Sequence, residues 1–346
     1  MLISKVSYQS KFGDILFVTL ENNNGYKLVL CSYGASIYQI IHRHSDDTVQ
    51  LLNLTNENIE EFLTSPSYYG KTVGRVSGRL FGPSYQIFDE EYQVNLIAEE
   101  SSMLHGGPNG FSFQNFNLVN QDITDDAAKI TFFYESSDGE EGFPGNVGLY
   151  VSYELNNEDQ VVIDYYATSD QDTILNITNH TYFNLSPQFE SIETHQLTIN
   201  SNQYIEVDGD FRFKAVQNVE NTLFDFRVSK APLELSNALK NTLQKGIDHT
   251  FLITDGSNIV AKLEHKNSEI GLDVYSTYPS VVIYTHQYPS KKKLIGIEDD
   301  GAYRGITFEC LFEPDGIHHP ELHSSILKKN IPYQESIVFQ FYRKEK

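Results

Sequence analysis

Two imidazoles and a carboxylate occupy segments of this chain that ordinary strand filler does not explain. His105 lies in Met103-Leu104-His105-Gly106-Gly107, His180 in the run 176–184, and Glu309 in Gly305-Ile306-Thr307-Phe308-Glu309-Cys310-Leu311. An imidazole changes charge near neutral pH, and together with a carboxylate it can remove one proton while delivering another. Each residue also admits a plainer role. On an extended strand Asn176, Thr178, His180 and Tyr182 would share one face, giving a polar row that ends in an imidazole. Buried polar groups need partners, so such a row forms either a cleft floor or the wet side of a half-buried sheet. Glu309 stands among Phe308, Cys310, Leu311 and Phe312. It either faces solvent or sits in a partly dry pocket, where burial would lift its pKa from about 4.3 toward neutrality.

The remaining candidates are read in the same way. His105 precedes Gly106-Gly107-Pro108, and a glycine-rich turn can present the side chain before it to a cleft or simply to water. Arg79 follows Gly78 within the segment 74–82, whose glycines permit close approach of a ligand or of another chain segment. Asp248 and His249 are adjacent, so strand alternation sends them to opposite faces and at most one reaches a shared pocket. His318 and His319 are also adjacent and cannot chelate in the i,i+4 manner, so no metal site is expected there despite nearby Asp315. The glycine patterns that bind phosphate, the zinc-protease histidine motif and the Gly-x-Ser-x-Gly nucleophile elbow are all absent.

Strands must position these groups. Alternating segments rich in Val, Ile, Tyr, Phe and Thr occur at 27–32, 129–135, 147–155, 161–168, 173–183, 257–265, 272–277, 281–284 and 305–312. Turn residues such as Asp138-Gly139, Pro144-Gly145 and Asp208-Gly209 separate several of them. The short gaps between Lys129 and Phe183 predict an antiparallel meander of four strands, because a parallel crossover needs about a dozen residues. Helical signal is confined to 234–243, with Pro232 before it and Gly246 after it, and to a turn at 58–63. No repeat, linker or composition break divides the chain. The expected architecture is all-β: a single large antiparallel domain over residues 1–346, with few short helices and a frayed tail at 343–346.

Composition narrows the partners. The 346 residues carry 25 Lys and Arg against 47 Asp and Glu, a formal charge of −22. Such a field repels nucleic-acid backbones and anionic membranes, and a neutral small molecule is the easier partner. The two cysteines, Cys31 and Cys310, form no zinc spacing and are expected as buried apolar groups. No basic start followed by an apolar stretch of about 7–15 residues is present, nor a run approaching about 18 apolar residues, so a cytoplasmic location is expected.

Taken together and in order, these segments resemble the aldose 1-epimerase (galactose mutarotase) family. The likeness rests on residues 74–79, Leu104-His105-Gly106-Gly107, 176–185, 246–251, 279–285 and 305–310, with smaller echoes at Asp225-Phe226-Arg227 and Glu313-Pro314-Asp315. It spans about Gly34 to Tyr342. The resemblance implies a galactose mutarotase-like β-sandwich, the supersandwich, and a cofactor-free, metal-free enzyme. That enzyme would interconvert the α and β anomers of free sugars such as D-glucose and D-galactose. A monomer or homodimer is expected. Position by position, it implies Glu309 as catalytic base and His180, in its charged form, as catalytic acid. Arg79, His105 and Asp248 would hold the sugar, and Tyr182 and Tyr284 would line the pocket. Departures from the family pattern stand at Gly78 (often Asn), Val282 (often Gln) and His286-Gln287 (often Gly-Asn), and they bear on sugar preference. Two other activities fit the same fold: an epimerase of hexose 6-phosphates, and a sugar-binding module without catalysis.

Overall fold

The structure, a computed structural model, describes residues 1–97, 99–254, 259–299 and 301–344. Antiparallel sheets dominate it. A five-stranded sheet runs in chain order from Leu2–Ser10 through Gly13–Glu21, Tyr26–Cys31 and Ser36–Arg43 to Val49–Leu51. An eight-stranded sheet begins as the meander Asn117–Ile123, Ala127–Ser136, Val147–Asn156 and Gln160–Ser169. It continues through Tyr333–Arg343, Ile270–Ser276, Ile259–Glu264 and Gln196–Ile199. A six-stranded sheet carries, in spatial order, Tyr182–Phe183, Ile306–Leu311, Ser280–Tyr284, Asp248–Ile253, Ser201–Val207 and Phe213–Asn218.

Period-2 alternation builds the core. In Val147–Asn156 the buried set is Val147, Leu149, Val151, Tyr153 and Leu155, with partly or fully exposed residues between them. One continuous apolar cluster takes Leu28 and Leu30 from the five-stranded sheet, Ile130 and Leu149 from the eight-stranded sheet, and Phe251, Val281 and Phe308 from the six-stranded sheet. The three sheets therefore share a core. In that cluster the six-stranded sheet uses Phe183, Phe308, Cys310, Val281, Ile283 and Phe251. On the same strands Tyr182, Glu309, Val282, Tyr284, Asp248 and Thr250 point the other way, into the cavity described below.

Several expectations are corrected. The run 173–183 is not one strand but three of two residues each, Thr173–Ile174, Thr178–Asn179 and Tyr182–Phe183, paired with three different partners. The meander thus has no fourth strand there, and the inferred polar face does not exist as such. The Asn176 amide instead donates to the Phe312 carbonyl and accepts from its N–H. The helix at 234–243 is shorter, Leu233–Leu239, and begins behind Pro232. The Thr242 hydroxyl takes the Leu239 carbonyl at 2.6 Å, which draws a hydrogen-bond acceptor away from a further turn. The turn at 58–63 is the helix Ile59–Leu63, capped by the Asn58 side chain on the Glu61 N–H. Of the expected frayed tail, Arg343 and Lys344 are tied to Glu269 and His265, while Glu345 and Lys346 lie outside the described residues, as do Ser257 and Asn258 of the strand expected at 257–265. Both cysteines are buried and free. No helix is long and apolar enough to cross a membrane.

Candidate active site

Register places the site. Across the six-stranded sheet Tyr182 opposes Thr307, Thr307 opposes Tyr284, and Tyr284 opposes Asp248. One step along, Glu309 opposes Val282, which opposes Thr250. Apart from Thr307, the residues of these two cross-strand rows line a cavity of about 300 Å³, at the small end of the roughly 300–1,000 Å³ typical of ligand sites. Every site residue expected from the sequence lines it: Arg79, His105, His180, Tyr182, Asp248, Tyr284 and Glu309. Asp248 and His249 do part company as alternation requires. Asp248 faces the cavity, and the His249 ring packs 4.8 Å from Phe224.

His180 is held by its backbone rather than by a strand. Its N–H donates to the Lys71 carbonyl at 2.9 Å and its carbonyl accepts from the Gly70 N–H at 3.0 Å. The imidazole Nε2 then lies 3.3 Å from Glu309 Oε1, and both residues are 3% exposed. The Nδ1 of His180 is buried without a hydrogen-bond partner among the described residues. Burial pushes the Glu309 carboxyl up to about 8, helped by the charge of Asp248 and opposed by the Thr307 hydroxyl and Arg79. Burial likewise pulls His180 down to about 3. Neighbouring His286 adds to the lowering of His180, after burial. Burial thus favours the neutral form of each group, and so works against the imidazolium expected from the sequence.

His105 is clamped from both sides by Gly78. Its N–H donates to the Gly78 carbonyl at 2.9 Å, and its Nδ1 accepts from the Gly78 N–H at 3.2 Å. A backbone N–H can only donate, so the neutral ring carries its proton on Nε2. Burial, followed by the neighbouring His180 and Arg79, holds the His105 pKa well below its usual value. His105, His180 and Glu309 offer ligand-type atoms within 4.8 Å of one another. In this tautomer His105 has no free lone pair for a cation, and it offers an N–H instead. His318 and His319 both pair with Asp315 and form no such cluster with His105 and His180.

Arg79 Nη1 stands 3.9 Å from Asp248 Oδ2, and burial raises the pKa of that carboxyl. Aromatic rings enclose the centre. Tyr182 and Tyr284 lie 4.9 Å and 6.3 Å from the His180 ring, and Tyr68 lies 4.8 Å from His105. Tyr68, Phe211, Tyr288, Thr307 and Asp315 were missed by sequence reasoning. Tyr68 had one usable signal, its place in Ser67-Tyr68-Tyr69-Gly70, because two tyrosines before a glycine mark a turn that can present a ring. The departures noted above resolve individually. A Cβ on Gly78, whose φ is +73°, would meet Pro314 carbons at 2.9 Å. Val282 lines the cavity beside Glu309 and adds to its dryness. His286 lies behind Tyr182, ring to ring at 4.6 Å, with its Nε2 2.9 Å from the Tyr69 hydroxyl.

A family model described as aldose 1-epimerase matches residues 17–340. The chain belongs to the aldose 1-epimerase family. It is similar to the aldose 1-epimerase of Escherichia coli K12, 32% identical over 311 residues that cover 88% of each chain. It is also similar to the galactose mutarotase of Mus musculus, 31% identical over 320 residues and 90% of each chain. The crystal structure of galactose 1-epimerase from Lactobacillus acidophilus superposes with a TM-score of 0.87 at 27% identity, covering 99% of both chains. The chain is thus an aldose 1-epimerase family enzyme with a galactose mutarotase-like antiparallel β fold.

Proposed function

We propose that this enzyme interconverts the α and β anomers of free aldohexoses such as D-glucose and D-galactose, with no cofactor, through Glu309 and His180. One observation carries the reading: a buried carboxylate and imidazole 3.3 Å apart on the floor of a hexose-scale cavity. Ring opening removes the proton of the C1 hydroxyl and adds one to the ring oxygen. Both oxygens are bonded to the same carbon, so the base and the acid that serve them can stand side by side. Glu309 takes the hydroxyl proton and His180 supplies the ring oxygen. Rotation about C1–C2 exposes the other carbonyl face, and reclosure runs the two transfers in reverse.

The proton count agrees with this. At neutral pH the pair holds one proton, resting on Glu309. Moving it to His180 creates the carboxylate and imidazolium that the reaction uses, with no proton gained or lost. Arg79, the Nε2–H of His105, and Asp248 supply donors and an acceptor for ring hydroxyls, and positioning of this kind removes several kcal/mol from a barrier.

A hexose 6-phosphate is a poorer fit. Arg75, the second cation near the glycine segment, is buried and spends its guanidinium on Ser136, Ser137, Pro144 and Gly145. Among the described residues lining the cavity, Arg79 alone carries a permanent positive charge, against the carboxyl groups of Asp248, Glu309 and Asp315. The test is polarimetry of freshly dissolved α-D-glucose, α-D-galactose and glucose 6-phosphate. Faster equilibration of the free hexoses is expected. No acceleration with any free aldose would refute the proposal.

A further inference from the structure

The tip of the hairpin formed by Ser201–Val207 and Phe213–Asn218 leans on the strand Arg79–Phe81. Two arginine–aromatic cation–π contacts run across this region in opposite directions. The Arg79 guanidinium lies 3.9 Å from the Phe211 ring centroid, and that of Arg212 lies 4.3 Å from the Phe81 ring centroid. The tip is wound around Asp208, whose Oδ1 accepts from the N–H groups of Asp210 and Arg212 at 2.8 and 3.0 Å. The strand is also held by the Phe81 N–H, which donates to Asp315 Oδ1 at 3.0 Å. Phe211 and Phe213 both line the cavity.

We infer that Phe211 is a positioning residue for sugar recognition: its ring fixes the Arg79 guanidinium so that the N–H edge is presented to the cavity. The inference rests on the proposed function and adds to it. A free arginine side chain samples many rotamers and binding must halt them. Asp248 does not do so, because 3.9 Å is well outside the 2.7–2.9 Å of a charge-assisted hydrogen bond. Among the described residues the Arg79 side chain has no other polar partner, so the Phe211 face is what orients it. A stack engages the flat face of a guanidinium and leaves its in-plane donors free. Those donors are what sugar hydroxyls accept. The reverse stack of Arg212 on Phe81 keeps the hairpin tip, and Phe211 with it, in place.

The experiment is a kinetic double-mutant cycle with polarimetry over a range of sugar concentration, using wild type, Phe211→Leu, Arg79→Ala and the double variant. Phe211→Leu should raise KM about tenfold, equivalent to about 1.4 kcal/mol, with kcat within about twofold and the pH profile unmoved. Phe211→Tyr, which keeps the ring, should restore the wild-type KM. In the Arg79→Ala background Phe211→Leu should have no further effect. A wild-type KM in Phe211→Leu overturns the inference. So does an equal rise in KM with and without Arg79, which would mean that the ring touches sugar directly. Circular dichroism checks folding, and Phe211→Met replaces Leu if that variant does not fold. If wild type accelerates no sugar, the functional reading fails instead. The stack is then read from thermal melting of the same four proteins, where non-additive shifts support it and additive shifts overturn it.

Discussion

Glu309 and His180 are short of water, and that governs how they share a proton. Glu309→Gln keeps the shape but removes the base, and should lower kcat by about 10²–10⁴-fold in polarimetry. His180→Asn should cost a similar factor. The pH dependence follows from the shifts. Above about pH 8 Glu309 is ionised while His180 is already neutral, so the pair lacks the proton that the ring oxygen needs. Below about pH 3 both are protonated and there is no base. Activity should therefore be level across the neutral range and fall above about pH 8, and the two apparent values belong to the pair. A decline through pH 6.5 would contradict this. Both residues stood out in the sequence as candidates, and the structure brings them together in one cavity. Their charge states were not legible from the sequence, because a pKa in a dry pocket depends on atoms brought in from remote strands, such as Val282 and Asp248.

At the scale of elements, alternation explains most of what sequence reasoning reached. Ile306–Leu311 sends Phe308 and Cys310 to the core and Glu309 to the cavity, as a period of two requires. The same rule separated Asp248 from His249. It failed at 173–183, where three short pairings replace one strand, because nothing local announces that the partner changes every few residues. The loops also carry definite demands. A Cβ on Gly106 would fall 2.1 Å from the Gly74 carbonyl oxygen, and backbone there cannot step aside. Gly106→Ala should cost about 3 kcal/mol in chemical denaturation and displace neighbouring His105. Gly78→Asn should lose a fraction of a kcal/mol to its left-handed backbone, because asparagine tolerates that region better than most residues. Contact with Pro314 adds to that loss, so the variant should be less stable and should not gain affinity for sugar.

For the whole molecule, charge and linkage make separate predictions. A formal charge of −22 should leave the rate with a neutral hexose almost indifferent to salt. Any weak turnover of a phosphorylated sugar should instead rise as about 0.01–0.2 M salt shortens the reach of that field. Stability should also report on the site. The folded pKa of Glu309 is raised, so its contribution is present below about 4.5 and is lost as pH rises through about 8. The folded pKa of His180 is lowered, so its contribution is present above about 6.5 and is lost as pH falls through about 3. Glu309→Gln should then melt above wild type at pH 9, by a smaller margin at pH 6, and close to it below about pH 4.5. Equal melting temperatures at pH 9 would mean that the carboxyl is not under strain.

The chain by itself determined that strands dominate, that short gaps make neighbours antiparallel, and that two imidazoles and a carboxylate stand out from strand filler. Those are local properties, carried by side-chain type and a period of two. Only the tertiary structure decided that residues 105, 180 and 309 meet, that Phe211 reaches Arg79, and that Arg75 is consumed by loop carbonyls. Such meetings depend on sheet register and on which strands pair across hundreds of residues. They also set how much water is excluded, and so where the shared proton rests.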